Sequence, residues 1–248
     1  MPRYKLTVEY DGGGFVGWQR QANGPSIQEA LETAIERFCG ERPTVFGAGR
    51  TDAGVHALAQ VAHVDLARDA DPETIRGAVN HHLRPHAISV VLAEPAPDGF
   101  DARRSAIGRV YRYRILNRRA PPALERGRVW HVAPPLDLAA MQEGARHLIG
   151  HYDFSTFRDS LCQARSPVKT LDVLELRRDG AEIQVTARAR SFLHHQVRNM
   201  VGTLKLVGLG RWQPDDVARA LAARDRRAGG PTAPAEGLTL VAVEYDAA

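Results

Sequence analysis

An α+β fold built as two successive halves is predicted by three observations. Residues 4–10, 109–116, 182–189 and 238–245 alternate apolar and polar side chains with a period of two, as half-buried strands do. Between such runs stand helix starts that the chain marks with caps: Ser26 ahead of Ile27 and Asp71 ahead of Pro72. The strand and helix order then restarts after the turn-rich stretch Pro95-Ala96-Pro97-Asp98-Gly99. This divides the chain into an N-terminal half, residues 1–105, and a C-terminal half, residues 106–248, each expected as mainly antiparallel strands with helices on one side.

Composition sets the class. The 248 residues are 44% hydrophobic and 25% charged, enough to bury a full core. No run of about 18 apolar residues occurs, and the amino terminus enters a strand pattern directly, so the reading is a soluble cytoplasmic protein without a membrane partner. Cys39 and Cys162 lie far apart in no metal-ligand spacing, which argues against a disulfide framework or a zinc site. Net charge is +4, and 30 of the 33 basic residues are Arg. Arg suits bidentate phosphate contacts and base stacking. It clusters at Arg103-Arg104, Arg109, Arg112, Arg114, Arg118-Arg119, Arg126 and Arg128, with tyrosines threaded through, as either a solvated face or an RNA surface.

In chain order, the first strand buries Tyr4, Leu6, Val8 and Tyr10. Gly12, Gly14 and Gly17 then spell G-x-G-x-x-G, but no helix opens there, so the dinucleotide reading fails. The loop suits close approach of backbone to a ligand, with Trp18, Gln19, Arg20 and Gln21 offering a stacking surface and hydrogen bonds. A helix from Ser26 to about Cys39 stops at Gly40, and a strand near Thr44 to Gly47 follows. In Phe46-Gly47-Ala48-Gly49-Arg50-Thr51-Asp52-Ala53-Gly54-Val55-His56, glycines permit a sharp turn that presents Asp52, and Arg50 is placed to reach the same carboxylate. A plain Asx-type turn and a catalytic carboxylate are both compatible with it.

Alternation resumes at Gln60–Leu66, where His63 is expected to point outward. A helix from Asp71 to Leu83 ends in His81, His82 and His86, which suit a helix carboxyl end better than a metal, and Ile88–Ala93 is a strand. In the second half, Tyr111 and Tyr113 share one face of a strand, and a helix at about 137–149 follows. Residues 151–169 read as a long loop, and strands at about 171–177 and 182–189 lead to a helix at about 194–209. There Val197, Met200, Val201, Leu204 and Val207 form a core stripe, with Arg198 at its edge. A helix at about 215–224 and a last strand at 238–245 complete the chain.

The chain lacks G-x-x-x-x-G-K-[ST], H-E-x-x-H and G-x-S-x-G, so phosphate-loop, zincin and serine-hydrolase chemistries lack their parts. What remains is one Asp, arginines and strand tyrosines. An ionised carboxylate of this kind acts as a nucleophile or stabilises positive charge at an anomeric carbon. A glycosidase would need a second carboxyl group beside Asp52, and none stands out.

Asp11-Gly12 with Phe15 and Gly17-Trp18-Gln19-Arg20-Gln21, Gly49 through His56, Arg109 to Tyr113, His194-His195 through Gly202, and Glu236-Gly237-Leu238 together resemble the TruA family of tRNA pseudouridine synthases, over essentially the whole chain. The resemblance implies isomerisation of uridine to pseudouridine at positions 38 to 40 of the tRNA anticodon stem-loop, with no cofactor and no metal. It implies Asp52 as the catalytic carboxylate, Arg50 paired with it, Tyr111 stacking on the extruded uracil, Arg198 as the basic partner of Asp52 and Leu238 as an apolar wall. Trp18, Gln19, Arg20, Thr51 and Asn199 are further substrate-binding candidates by the same match. It also implies two ferredoxin- or RRM-like halves sharing a long mixed, mainly antiparallel sheet flanked by helices, a central active-site cleft, and a homodimer in which one tRNA touches both subunits. The chain departs from the family at Phe100-Asp101-Ala102-Arg103, where Phe-His-Ala-Arg is common. Two other functions compete: a catalytically silent tRNA-binding or chaperone module, which has no use for Asp52, and a nucleoside hydrolase, which needs a placed water and a second acid or base.

Overall fold

The computed structural model describes residues 1–67 and 69–246. The chain divides into two compact units, residues 1–107 together with the segment that returns from Thr239, and Gly108–Leu238. Both are α+β.

In the first unit, β1 (Arg3–Tyr10) leads through a glycine-rich loop to α1 (Ile27–Cys39), then β2 (Phe46–Gly47), β3 (His56–Asp65), α2 (Pro72–Leu83) and β4 (Ile88–Pro95). β1 is central and pairs antiparallel with β3 and β4, with Val8 opposite Gln60 and Tyr10 opposite Ala57. Local signals set the helix ends. Ser26 Oγ accepts from the Glu29 amide at 3.2 Å, and Gly40 ends α1 with a left-handed φ of 80° that an L side chain resists. Asp71 caps α2 in the same way, with Pro72 at its first position. α2 packs on α1 and on β4.

In the second unit, β5 (Ala106–Leu116) is followed by β6 (Trp130–His131), α3 (Leu138–Arg146), β7 (Gly150–Asp153), β8 (Val168–Asp179), β9 (Glu182–Ala189), α4 (Gln196–Gly208) and α5 (Pro214–Ala223). β5, β9, β8 and β7 pair antiparallel in that order, and β6 adds a two-residue parallel bridge to β5. α3 packs on α4, α5 and β8 around a core that includes Met141, Phe154, Met200 and Leu204. No helix among the described residues is long and apolar enough to cross a membrane.

Several expectations are corrected. β10 (Leu238–Tyr245) returns the chain to the first unit rather than ending the second: Thr239 and Leu240 pair parallel with His56 and Ala57, and Tyr245 Oη donates to the Ala102 carbonyl at 2.7 Å. β3 starts at His56, four residues before the alternation becomes visible, because pairing with β1 rather than side-chain pattern extends it. His63 points inward: it is 4% exposed, its Nδ1 accepts from the Ala102 amide at 3.0 Å, and it stacks on Phe46. Burial, with Arg3 nearby, lowers its pKa, so the ring is held neutral as that acceptor requires. The stretch expected as a long loop carries β7 and a short 3-10 turn, Ser155–Phe157.

Candidate active site

The glycine-rich segment after β1 is a support, not a phosphate cradle. A Cβ on Gly12 would lie 2.1 Å from the Val55 carbonyl oxygen, and one on Gly17 would lie 2.6 Å from the Thr51 oxygen. The backbone of 12–17 therefore runs directly against residues 51–55. The close approach expected of this loop is made to another stretch of the same chain.

Above it, residues 48–55 form a turn tied at many points. The Ala48 amide donates to the Val61 carbonyl at 2.7 Å, the Trp18 amide to the Thr51 carbonyl at 3.0 Å, and the Val55 amide to the Asp52 carbonyl at 3.1 Å. Asp52 is half-buried at the middle of this turn. Thr51 is buried, its hydroxyl 2.8 Å from Tyr10 Oη. Burial pushes the Tyr10 hydroxyl up to about 12, with Thr51 and Gln60 pulling the other way.

Arg50 is exposed, and its Nε donates to Gln19 Oε1 at 3.1 Å. Gln19 in turn donates to Gln28 Oε1 at 2.7 Å, an oxygen that also accepts from the Arg20 amide. The Arg20 guanidinium is 2.9 Å from Glu32, whose side chain is 2% exposed. Gln19 and Arg20 thus join α1 to the Arg50 turn by a relay of side chains. Trp18 differs from the expected stacking platform. It is 3% exposed, its indole lying under Gly47 and beside Tyr10, so it props the turn from below.

The second unit holds the remaining candidates. Tyr111 lies on β5, 9% exposed, and its ring meets Phe192 edge to face at 5.3 Å. Tyr113, two residues on, is fully buried, donates to the Pro234 carbonyl at 2.8 Å, and packs against Gly237. Leu238 is buried at the start of β10. On α4, Arg198 is half-buried; its Nε donates to the Ala233 carbonyl at 2.8 Å, while the Ala233 amide donates to the Arg198 carbonyl at 3.1 Å. This clasp fixes the 229–233 segment and the base of the Arg198 side chain together.

Asn199 turns the other way. It is 1% exposed, donates to the Phe157 carbonyl at 2.9 Å, and accepts from Arg226 at 3.1 Å and from the Thr232 hydroxyl at 2.6 Å. Its side chain ties α4 to the neighbouring loops rather than opening toward a ligand. Just before α4, His195 adopts a left-handed φ of 61° and its Nδ1 lies 2.7 Å from Asp159. Burial pushes the Asp159 carboxyl up, but the Leu161 amide and His195 outweigh it and hold the acid below its usual range. Asp159 was not singled out in the sequence, where it sits in an irregular stretch with no periodic signal. Asp101, the position at which the chain departs from the family pattern it resembles, closes a turn: its Oδ1 accepts from the amides of Arg103 and Arg104 at 2.9 and 2.8 Å.

The comparisons with known proteins agree in kind. A family model described as tRNA pseudouridine synthase matches residues 6–103 and 145–246, which takes in Asp52 and its turn as well as Arg198 and Leu238. A protein of Rhodospirillum centenum named tRNA pseudouridine synthase A is 65% identical over 245 residues, covering 99% of this chain and 100% of that one. Equally named proteins of Paramagnetospirillum magneticum and Acidiphilium cryptum are 62% and 60% identical, covering 100% and 99% of this chain and 96% and 97% of their own lengths. With identity at that level over nearly the full length of each pair, and a family model matching both halves, the chain belongs to the tRNA pseudouridine synthase family.

Proposed function

We propose that this chain isomerises uridine to pseudouridine at positions 38 to 40 in the anticodon stem-loop of tRNA, with Asp52 as the catalytic carboxylate. The observation that supports this reading is the seat of Asp52 on a turn tied down by hydrogen bonds, at Gly49 and Thr51 before it and from the Val55 amide to its own carbonyl after it. A group that must meet a reacting atom is best carried on such a preorganised support.

The uracil N1–C1′ bond breaks, the base turns, and a C5–C1′ bond forms; C5 loses a proton and N1 gains one. Nothing is oxidised, hydrolysed or added, so the stoichiometry calls for no cofactor. The Asp52 carboxylate serves at the anomeric carbon or the base. A uridine inside a stem is reached only by extrusion. Arg50, exposed on the turn, fills the vacated stack; Tyr111 stacks on the extruded base, Leu238 gives an apolar wall and Arg198 supplies the basic group. Gln19 and Arg20 line the substrate side of the turn, Thr51 and Trp18 support the turn from beneath, and Asn199 braces α4 behind Arg198. The working assembly is a cytoplasmic homodimer on which one tRNA touches both subunits.

Loss of the C5 proton supplies the assay. Wild-type protein is expected to release tritium from tRNA carrying 5-tritiated uridine, and Asp52→Asn to release none above background while still binding tRNA. Equal release by both proteins would remove Asp52 from the chemistry. Tight binding without release by either would point to a silent tRNA-binding module, and free uracil to a hydrolase.

A further inference from the structure

Beneath the Asp52 turn lies a polar residue that stability alone does not explain. Gln60 occupies a fully buried position of β3, 0% exposed, where an apolar side chain is the ordinary choice. Its Nε2 donates to the Gly49 carbonyl at 2.9 Å and, at a longer 3.4 Å, to Tyr10 Oη. Its Oε1 has no hydrogen-bond partner among the described residues. The amide cannot be turned to cure this, because a carbonyl only accepts and Gly49 requires the NH2 end. A buried acceptor left without a donor typically costs about 1–3 kcal/mol, which an apolar residue would avoid.

What the arrangement does achieve is geometric. Tyr10 Oη accepts from Gln60 and shares a hydrogen bond with Thr51 Oγ1 at 2.8 Å, in which either hydroxyl can donate. Gly49 and Thr51 flank Arg50, and Thr51 adjoins Asp52. The two anchoring side chains rise from β1 and β3, paired strands of one sheet, with Val8 opposite Gln60 and Tyr10 opposite Ala57. The turn is therefore hung at two points from a rigid support, one on each side of Arg50.

We infer that Gln60 and Tyr10 are positioning residues for the reaction: they fix the 49–51 backbone and so set the attack geometry of Asp52, without touching substrate. The inference rests on the reading of Asp52 as the catalytic carboxylate.

Two variants of the full chain test it. Gln60→Met keeps side-chain volume and removes the orphaned oxygen together with both donated bonds; Tyr10→Phe deletes one oxygen and leaves the Gly49 tie intact. Single-turnover tritium release at saturating protein, tRNA Kd by filter binding, and thermal midpoint are measured on each. The expected result is a single-turnover rate lowered roughly 10- to 100-fold, the size of effect that small misplacements of a reacting group produce. Kd stays within about twofold and the Gln60→Met midpoint within a few degrees of wild type, a separation of rate from stability that a merely structural residue does not produce. A double variant no slower than the worse single one would show that the two act as one unit. Rates within twofold of wild type in both variants, or rate losses matched by loss of folded protein or of tRNA affinity, overturn the inference. Should Gln60→Met fail to fold, Tyr10→Phe decides alone. Wild-type protein that binds tRNA and releases no tritium overturns the reading of Asp52 and the inference with it, an outcome distinct from active variants beside an active wild type.

Discussion

Arg198 and Asn199 are adjacent in sequence and opposite in use. One residue of helix turns the side-chain direction by about 100°, so when Arg198 lies at the edge of the core stripe Asn199 must face inward or outward, and here it faces inward. Its side chain donates to the Phe157 carbonyl and accepts from the Arg226 guanidinium and the Thr232 hydroxyl, so three segments outside α4 hang on one amide. Asn199→Ala is therefore expected to cost roughly 2–4 kcal/mol of stability, the sum of lost bonds and stranded polar atoms. The folded fraction should bind tRNA with a Kd within about twofold of wild type. Denaturant melts and filter binding check both halves; a tenfold weaker Kd at unchanged stability would return Asn199 to the substrate side.

The strands carry a second consequence. Tyr10 closes β1 and Tyr113 lies within β5, and burial raises the pKa of both hydroxyls, Tyr10 to about 12. A folded-state pKa above the unfolded value of about 10 means that the native chain holds its proton more tightly. The stability this provides is complete below pH 10 and is lost as pH climbs from 10 to 12. For Tyr10 the loss is on the order of 3 kcal/mol, two pKa units at about 1.4 kcal/mol each. The thermal midpoint should fall steeply across that window, and Tyr10→Phe should flatten the fall; an identical pH profile in the variant would contradict it. The elements themselves were legible wherever their signals are local. α1 between Ser26 and Gly40, α2 behind Asp71-Pro72, and the alternating β9 all begin and end where caps and period place them. What stayed hidden depends on distant partners. β6 and β7 are short and exist through their pairing with β5 and β8, and β10 crosses back to β3 by two residues. The site divides in the same way. Glycines and the lone carboxylate at 47–54 marked the turn, but nothing in the local pattern says that Gln60 anchors Gly49 or that Trp18 faces inward, since each is decided by what the folded chain brings beneath the turn.

For the whole molecule, the matter is how a chain with 33 basic and 29 acidic residues engages a polyanion. A net charge of +4 is too small to carry binding as an overall field, so the distribution of the arginines must do it. Part of the set is spent internally: Arg3 with Asp65, Arg114 with Glu182 and Glu125, and Arg227 with Asp225. Others stand on the surface, Arg103 and Arg104 after the Asp101 turn and Arg118, Arg119, Arg126 and Arg128 around the β5–β6 connection. Each phosphate that such a group neutralises releases condensed counterions, and log K falls by about 0.7–0.9 per contact for each decade of salt. With around five contacts the slope is near −4, and tRNA affinity should drop by roughly 10²- to 10³-fold between 50 and 200 mM salt. Replacing Arg118 and Arg126 together by Ala should make that slope shallower by up to about 2 if both meet phosphates, while the single-turnover rate at saturating protein holds. Filter-binding titrations across that salt range measure the slope directly. A flat titration would mean that phosphate contacts do not hold the ligand, and the tRNA reading would fall with it.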